Sequence, residues 1–236
     1  MSFSGYKKGE KIVTARKQDT YKEETIEDVL SYPVLPIPER NISKETALHF
    51  GIRTAVSPKD GTTPIAHYFP YTIEGNVVGF KKRDLTLPKQ HKFHFTAVGF
   101  QSVKCDMFGV EAANKTGGKK IFITEGEYDA AALFEVLKKK YPQANPSVVS
   151  ISNGTVNAVS NIGQKQNQQF IKKHSEVVLV FDADKATQHE REKEKIMKGK
   201  DAVAAVYGLM PEIKVATLPD EYDPCDMVKE GMIDVS

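Results

Sequence analysis

Three apolar runs in the carboxyl-terminal half of the chain each lead into carboxylates, and this pattern restricts the fold more than any other feature. Ile121-Phe122-Ile123-Thr124 runs directly into Glu125-Gly126-Glu127-Tyr128-Asp129. Val177-Val178-Leu179-Val180-Phe181 runs into Asp182-Ala183-Asp184, and Ile213-Lys214-Val215-Ala216 leads to Tyr222-Asp223-Pro224-Cys225-Asp226. Short apolar runs rich in β-branched residues read as buried strands. Strands that deliver acidic groups at their carboxyl ends suit an open parallel sheet, whose ligand crevice lies beyond those ends. Hard cations such as Mg²⁺ take oxygen ligands, often with substrate phosphates as co-ligands. The pattern therefore points to nucleotide or nucleic-acid chemistry.

The surrounding sequence supports an α/β fold. Strand Ile121–Thr124 is predicted to precede helix Asp129–Lys139, and strand Ser147–Ile151 a Ser152-Asn153-Gly154-Thr155 turn and a helical region. Strand Glu176–Phe181 precedes a charged stretch and helix Asp201–Leu209, with strand Ile213–Leu218 last. Such alternation implies crossover helices and a parallel sheet. Upstream, Ala66–Tyr71, Val77–Lys82 and Lys92–Phe95 read as short strands, with Gly75-Asn76 as a turn signal, so an α+β subdomain with a mostly antiparallel sheet is expected there. Ser43 to Gly51 reads as a short helix with Ser43 as its N-cap and Gly51 as its left-handed stop. The expected division is a flexible basic arm over residues 1–30, a basic subdomain over 31–117, and the parallel-sheet domain over 118–236, with Gly117-Gly118 at the boundary.

Composition narrows the function classes by exclusion. The net charge is only +2, so any basic binding surface must be local. Two cysteines cannot form a four-cysteine zinc ribbon, and His91-x-x-His94 with Cys105 has poor ligand spacing, so no zinc is expected in this chain. No apolar run is long enough to span a membrane and no signal peptide is evident, which makes a soluble cytoplasmic protein the expectation.

Each candidate residue has a functional and an ordinary reading. Asp182 and Asp184, at i and i+2, project to one face of a strand, where unpaired carboxylates repel unless a cation is present; a solvated turn with Asp184 as a helix cap is the alternative. Glu125 is a candidate metal ligand or general base, and it is followed by Gly126, which lets the backbone turn tightly and admits a metal or phosphate. Glu127 and Asp129 fall in the next helix's first turn, where they can simply complement its dipole. Asn153 and Gly154 can offer backbone amides to phosphate or form an ordinary turn. Asp223 and Asp226 flank Pro224 after the last strand. The basic and aromatic stretch from Lys81 to Phe95 can track a nucleic-acid backbone and stack bases, or be a solvated β ribbon. The alternating charges from Thr187 to Lys200 read best as an exposed helix or insertion.

Glu125-Gly126 at one strand end and Asp182-x-Asp184 at a later one resemble the Toprim domain of primases, topoisomerases and certain nucleases. Ile42-Ser43-Lys44-Glu45-Thr46, Phe50-Gly51-Ile52-Arg53, Tyr68-Phe69-Pro70-Tyr71, Phe108-Gly109 and Gly117-Gly118-Lys119-Lys120 narrow the resemblance to the primase region of bifunctional phage primase–helicases of the T-odd coliphage type. The resemblance covers roughly residues 41–231. It implies a Toprim fold, and a metal-dependent RNA polymerase activity that makes short primers from ribonucleoside triphosphates on single-stranded DNA. It implies Glu125, Asp129, Asp182, Asp184 and Asp223 as the acidic cluster holding Mg²⁺, with Mn²⁺ as a possible substitute. Glu125, Asp182 and Asp184 are its catalytic set, and Asp226 and Glu127 are additional acidic candidates. Lys81, Lys82 and Arg83 fall near nucleotide- or template-contacting positions, and Asn153, Gly154 and Lys185 join them as nucleotide- and DNA-binding candidates. The family's zinc-ribbon and RecA-like helicase domains are not encoded in this chain, so they are expected in a full-length protein or in trans. The alternatives from the same residues are a Toprim nuclease and a non-catalytic single-strand-binding or assembly module.

Overall fold

The computed structural model describes residues 23–116, 118–152, 154–182, 199–216 and 218. Two four-stranded sheets organise them. The first is an antiparallel meander of β1 (Arg53–Val56), β2 (Pro64–Ile73), β3 (Asn76–Asp84) and β4 (Phe95–Gly99). Glu74 and Gly75 make the β2–β3 hairpin turn, both with positive φ (51° and 79°), the left-handed conformation that two-residue hairpins require. The second sheet runs in the order β6–β5–β7–β8, from β5 (Lys120–Thr124), β6 (Ser147–Ser150), β7 (Glu176–Val180) and β8 (Lys214–Val215). Its pairings are all parallel.

Alternation along the parallel strands buries both faces, as expected when helices cover a sheet on each side. Ile121, Ile123, Val149 and Leu179 pack with residues of α3 (Val110–Thr116), α5 (Ala158–Ile162), α6 (Lys165–Ile171) and α7 (Gly199–Leu209). Phe122, Val148, Val178 and Val180 face the other way, onto Ala130, Ala131, Leu133, Phe134 and Leu137 of α4 (Glu127–Lys140). Phe69 of β2 joins this second core and meets the Tyr128 ring edge-on at 4.9 Å. Helix α4 is therefore the layer between the two sheets. A third core of Val29, Ala55, Ala66, Tyr68, Phe80 and Val98 lies on the antiparallel sheet's other face, beneath α1 (Ile26–Ser31).

Ser43 caps α2 (Lys44–His49) by accepting from the Thr46 amide, and Gly51 follows with φ 69°. Four expectations need correction. The expected arm over residues 1–30 is helical at its carboxyl end: Thr25 and Asp28 form a reciprocal capping box and Val29 is fully buried. The strand expected at Lys92–Phe95 instead starts at Phe95. Residues 91–94 are a turn closed by the His94 amide on the His91 carbonyl, while Thr96, Ala97 and Val98 supply the ladder to β3. Helix α4 starts at Glu127, two residues early, because Gly126 takes the extended N-cap conformation. The segment before Gly117-Gly118 also packs with the parallel sheet: Met107, Val110 and Ala113 enter its core, and Phe108 pairs with Ser150 beyond edge strand β6.

Candidate active site

The sheet order fixes where a ligand can bind. From β5 the chain crosses through α4 to β6 on one side, then returns past β5 to β7 on the other. The helix after β5 covers one face, and those after β6 and β7 cover the opposite face. The crevice between β5 and β7 is thus the topological switch point, at the carboxyl ends of the two strands that deliver Glu125 and Asp182.

The parallel ladder ends with Thr124 opposite Val180, so Glu125 lies one position and Asp182 two positions beyond the same pair. Neighbouring strands are about 4.8 Å apart. The buried Thr124 hydroxyl donates to the carbonyls of Gly126 (3.0 Å) and Val149 (3.3 Å), which fixes the exit of β5. Gly126 then turns the chain into α4. A β-carbon there would lie 2.6 Å from Oδ2 of Asp129, so the Asp129 carboxylate folds back over the helix entry.

Oε2 of Glu125 and Oδ1 of Asp182 are buried carboxylate oxygens that make no hydrogen bond, although each residue has other polar neighbours. Buried anionic oxygens of this kind fit a hard divalent cation. Among the described residues no three His, Cys, Asp or Glu side chains gather into a metal-holding group. Asp184, Asp223 and Asp226 lie outside the described residues, as do Asn153 and Lys185. Gly154 is described and exposed, with φ 78° and open space beside its α-carbon.

The basic candidates on β3 separate by strand alternation. Lys81 and Arg83 share the face that meets α4, cross-strand from Phe69 and His67. Lys82 points to the opposite face, where it pairs with Glu24 at 2.9 Å and lies over the Tyr68 ring. Lys81 donates to both carboxylate oxygens of Glu127, at 3.0 and 2.8 Å. Arg83 donates to the His94 carbonyl (3.3 Å) and lies 5.5 Å from the centre of the half-exposed Phe95 ring. The candidates thus form two groups: Lys81 and Arg83 sit toward the strand-end crevice, and Lys82 braces α1's side of the sheet.

Three further residues at this junction received no role from the sequence. His67 Nδ1 and the Tyr128 hydroxyl are 2.8 Å apart, and the Arg40 guanidinium lies 4.9 Å from the centre of the Tyr128 ring. Burial lowers the His67 pKa to about 4 and pushes that of Tyr128 up, so at neutral pH both are uncharged and the local positive charge belongs to arginine and lysine. The placement of His67 on the Arg83 face follows from β2–β3 pairing, which the sequence alone does not specify.

No family model matches the chain. A DNA helicase/primase of Enterobacteria phage T3 is 30% identical over 182 residues, which is 76% of this chain and 27% of that protein. The chain therefore spans about a quarter of that relative's length. The primase fragment of the bacteriophage T7 primase-helicase superposes with a TM-score of 0.65 at 25% identity, covering 92% of this chain and 78% of that one. A second T7 structure, of lagging-strand DNA polymerase with primase domains bound to an RNA/DNA hybrid and dTTP, gives a TM-score of 0.62 at 27% identity, over 84% and 86%. Sequence and fold together place this chain among the primase domains of phage primase–helicases.

Proposed function

We propose that this domain synthesises short RNA primers from ribonucleoside triphosphates on single-stranded DNA, using Mg²⁺ held at the ends of β5 and β7. The observation that carries the reading is the arrival of Glu125 and Asp182 at neighbouring strand ends in the switch-point crevice, facing the Lys81 and Arg83 side of the antiparallel sheet. Glu125, Asp182 and Asp184 would hold the metal, with Asp129 and Asp223 completing the set and Mn²⁺ serving as substitute. When bound, the metal supplies Lewis-acid stabilisation of charge on the phosphoryl oxygens and lowers the pKa of the attacking hydroxyl.

The chain's own residues then have distinct tasks. The carboxylates fix the triphosphate's position by fixing its cation, and Gly126, lacking a side chain, leaves room for the Asp129 carboxylate to fold in beside them. Arg83 and Arg40 place positive charge beside the crevice, which favours the polyanionic template and the incoming nucleotide. The partly exposed Phe95 ring, with Lys81 and Arg83 beside it, offers an aromatic contact for an unpaired base. A zinc-ribbon domain to select the start site and a helicase to supply single strand, in one polypeptide or in trans, fit a catalytic core of this kind, acting in the host cytoplasm. Among the described residues no helix is long and apolar enough to cross a membrane.

The test combines the chain with labelled ribonucleotides, single-stranded DNA and Mg²⁺ or Mn²⁺, beside an Asp182→Asn control. Metal-dependent oligoribonucleotides absent from the control are the expected result. Shortened DNA in place of RNA product would favour a nuclease.

A further inference from the structure

We propose that Lys81 and Glu127 are a positioning pair that clamps the basic antiparallel sheet onto the turn carrying Glu125, with the Lys81 charge balancing Glu127 in place of a substrate phosphate. The proposal rests on the primer-synthesis reading of the crevice. Lys81 Nζ contacts both oxygens of Glu127, and the two side chains are only 17% and 6% exposed. An ion pair this withdrawn from water is costly to break, because the remaining charge is left without a partner. Glu127 therefore has its carboxylate committed on the side facing β3. Helix-dipole complementarity does not by itself require a lysine from another sheet at that point.

The pair sits where rigidity bears on the site. Glu127 is the first residue of α4 and lies two positions beyond Glu125, separated only by Gly126, the least restrained residue type. Tyr128, the next residue, is tied to His67 on β2. Consecutive residues of one helical turn are thus held by neighbouring strands of the other sheet, Lys81 on β3 and His67 on β2. The pleat brings these two attachments to one face of the sheet, since Lys81 is opposite Phe69 and His67 opposite Arg83. Lys81 Nζ also lies 4.6 Å from the centre of the Phe95 ring, which limits where its charge can go. A catalytic carboxylate displaced by about 1 Å loses on the order of 100-fold in rate, so a clamp two residues away acts on turnover more than on binding.

The experiment measures primer synthesis and amide hydrogen exchange on the full chain for Lys81→Gln, Glu127→Gln, their double variant and Lys81→Arg. Either glutamine variant should lower kcat by about 10- to 100-fold with the nucleotide KM little changed, and should speed exchange of the amides from Glu125 to Ala131. The double variant should be no worse than the singles, since both remove the same contact, and Lys81→Arg should keep most activity. A raised nucleotide KM in Lys81→Gln with kcat intact, or additive losses in the double variant, would overturn the proposal by making Lys81 a substrate contact. A raised metal requirement in Glu127→Gln would overturn it by making Glu127 a ligand. Unchanged exchange in the single variants would overturn it whatever the activity. Absence of any primer from the wild-type chain would instead defeat the primer-synthesis reading, and the exchange result would still decide the clamp.

Discussion

Glu135, in the middle of α4, accepts hydrogen bonds from the Ser43 amide (3.2 Å) and the Ser43 hydroxyl (2.7 Å), so the N-cap of α2 is held by a carboxylate from another helix. The Thr46 hydroxyl donates to the same oxygen. Burial disfavours the charged carboxylate, but the bonds from Thr46, Ser43 and Lys139 outweigh it and keep the pKa below its ordinary value. A depressed carboxyl pKa contributes stability that is present above the unfolded value and lost as pH falls through the folded one. Glu135→Ala should destabilise the domain by about 1–3 kcal/mol, because three donors lose a buried partner. Denaturant unfolding at pH 7 would measure this, and the difference from wild type should shrink in acid.

His67 should make the stability of the fold fall in mild acid. Its pKa is lowered from 6.5 to about 4, chiefly by burial. Between those values the unfolded chain binds a proton that the folded one does not. Stability is therefore complete above pH about 6.5, declines as pH drops, and stops declining near pH 4. A shift of this size corresponds to roughly 3 kcal/mol. His67→Gln keeps a polar partner for Tyr128 and should flatten the slope of unfolding free energy over that range. The residual slope would belong to groups including His49 and His174, which burial also lowers.

Asp182→Asn should remove primer synthesis while sparing the fold. With the metal-holding role proposed for Asp182, its loss forfeits several kcal/mol of transition-state stabilisation, a fall of at least about 100-fold. Binding to single-stranded DNA should hold or improve, since one negative charge leaves a polyanion site. Chelation of divalent metal should have the same effect on synthesis and leave thermal unfolding of the domain unchanged.

Gly126→Ala tests the helix entry more gently. The added methyl meets the end of the Asp129 side chain, not backbone, so the carboxylate should swing away and the fold should survive within about 1 kcal/mol. If Asp129 helps to hold metal, the concentration of Mg²⁺ giving half-maximal synthesis should rise several-fold, with little change at saturation. Titration of activity against Mg²⁺ would show it.

The parts of this fold legible in the sequence were those set by local pattern. The apolar runs at residues 121–124, 147–150 and 176–180 are strands because β-branched side chains fill both faces of a covered parallel sheet. Ser43 and Gly51 announce α2 through side-chain capping and a left-handed stop. Pairings across long separations were not legible. Nothing local tells Lys81 from Lys82, yet one reaches α4 and the other Glu24, because a strand's successive residues face opposite ways and only the third dimension says what lies on each side. The capping box at Thr25 and Asp28 was missed because the surrounding lysines suggested a solvated arm. Glu125 and Asp182 were visible as strand-end acids; their arrival at the switch point follows from sheet order, which composition does not encode.

The bridge between Phe108 and Ser150 bears on how this protein can be cut. It occupies hydrogen-bonding groups along the free margin of β6, and Met107 just before it, together with Val110 and Ala113 of the helix that follows, is buried against the sheet. A fragment starting at the glycine pair would expose both an unsatisfied strand margin and a greasy hollow, a combination that invites strand-to-strand self-association. Expression of the carboxyl-terminal half should therefore begin upstream of Cys105 if the product is to stay in solution.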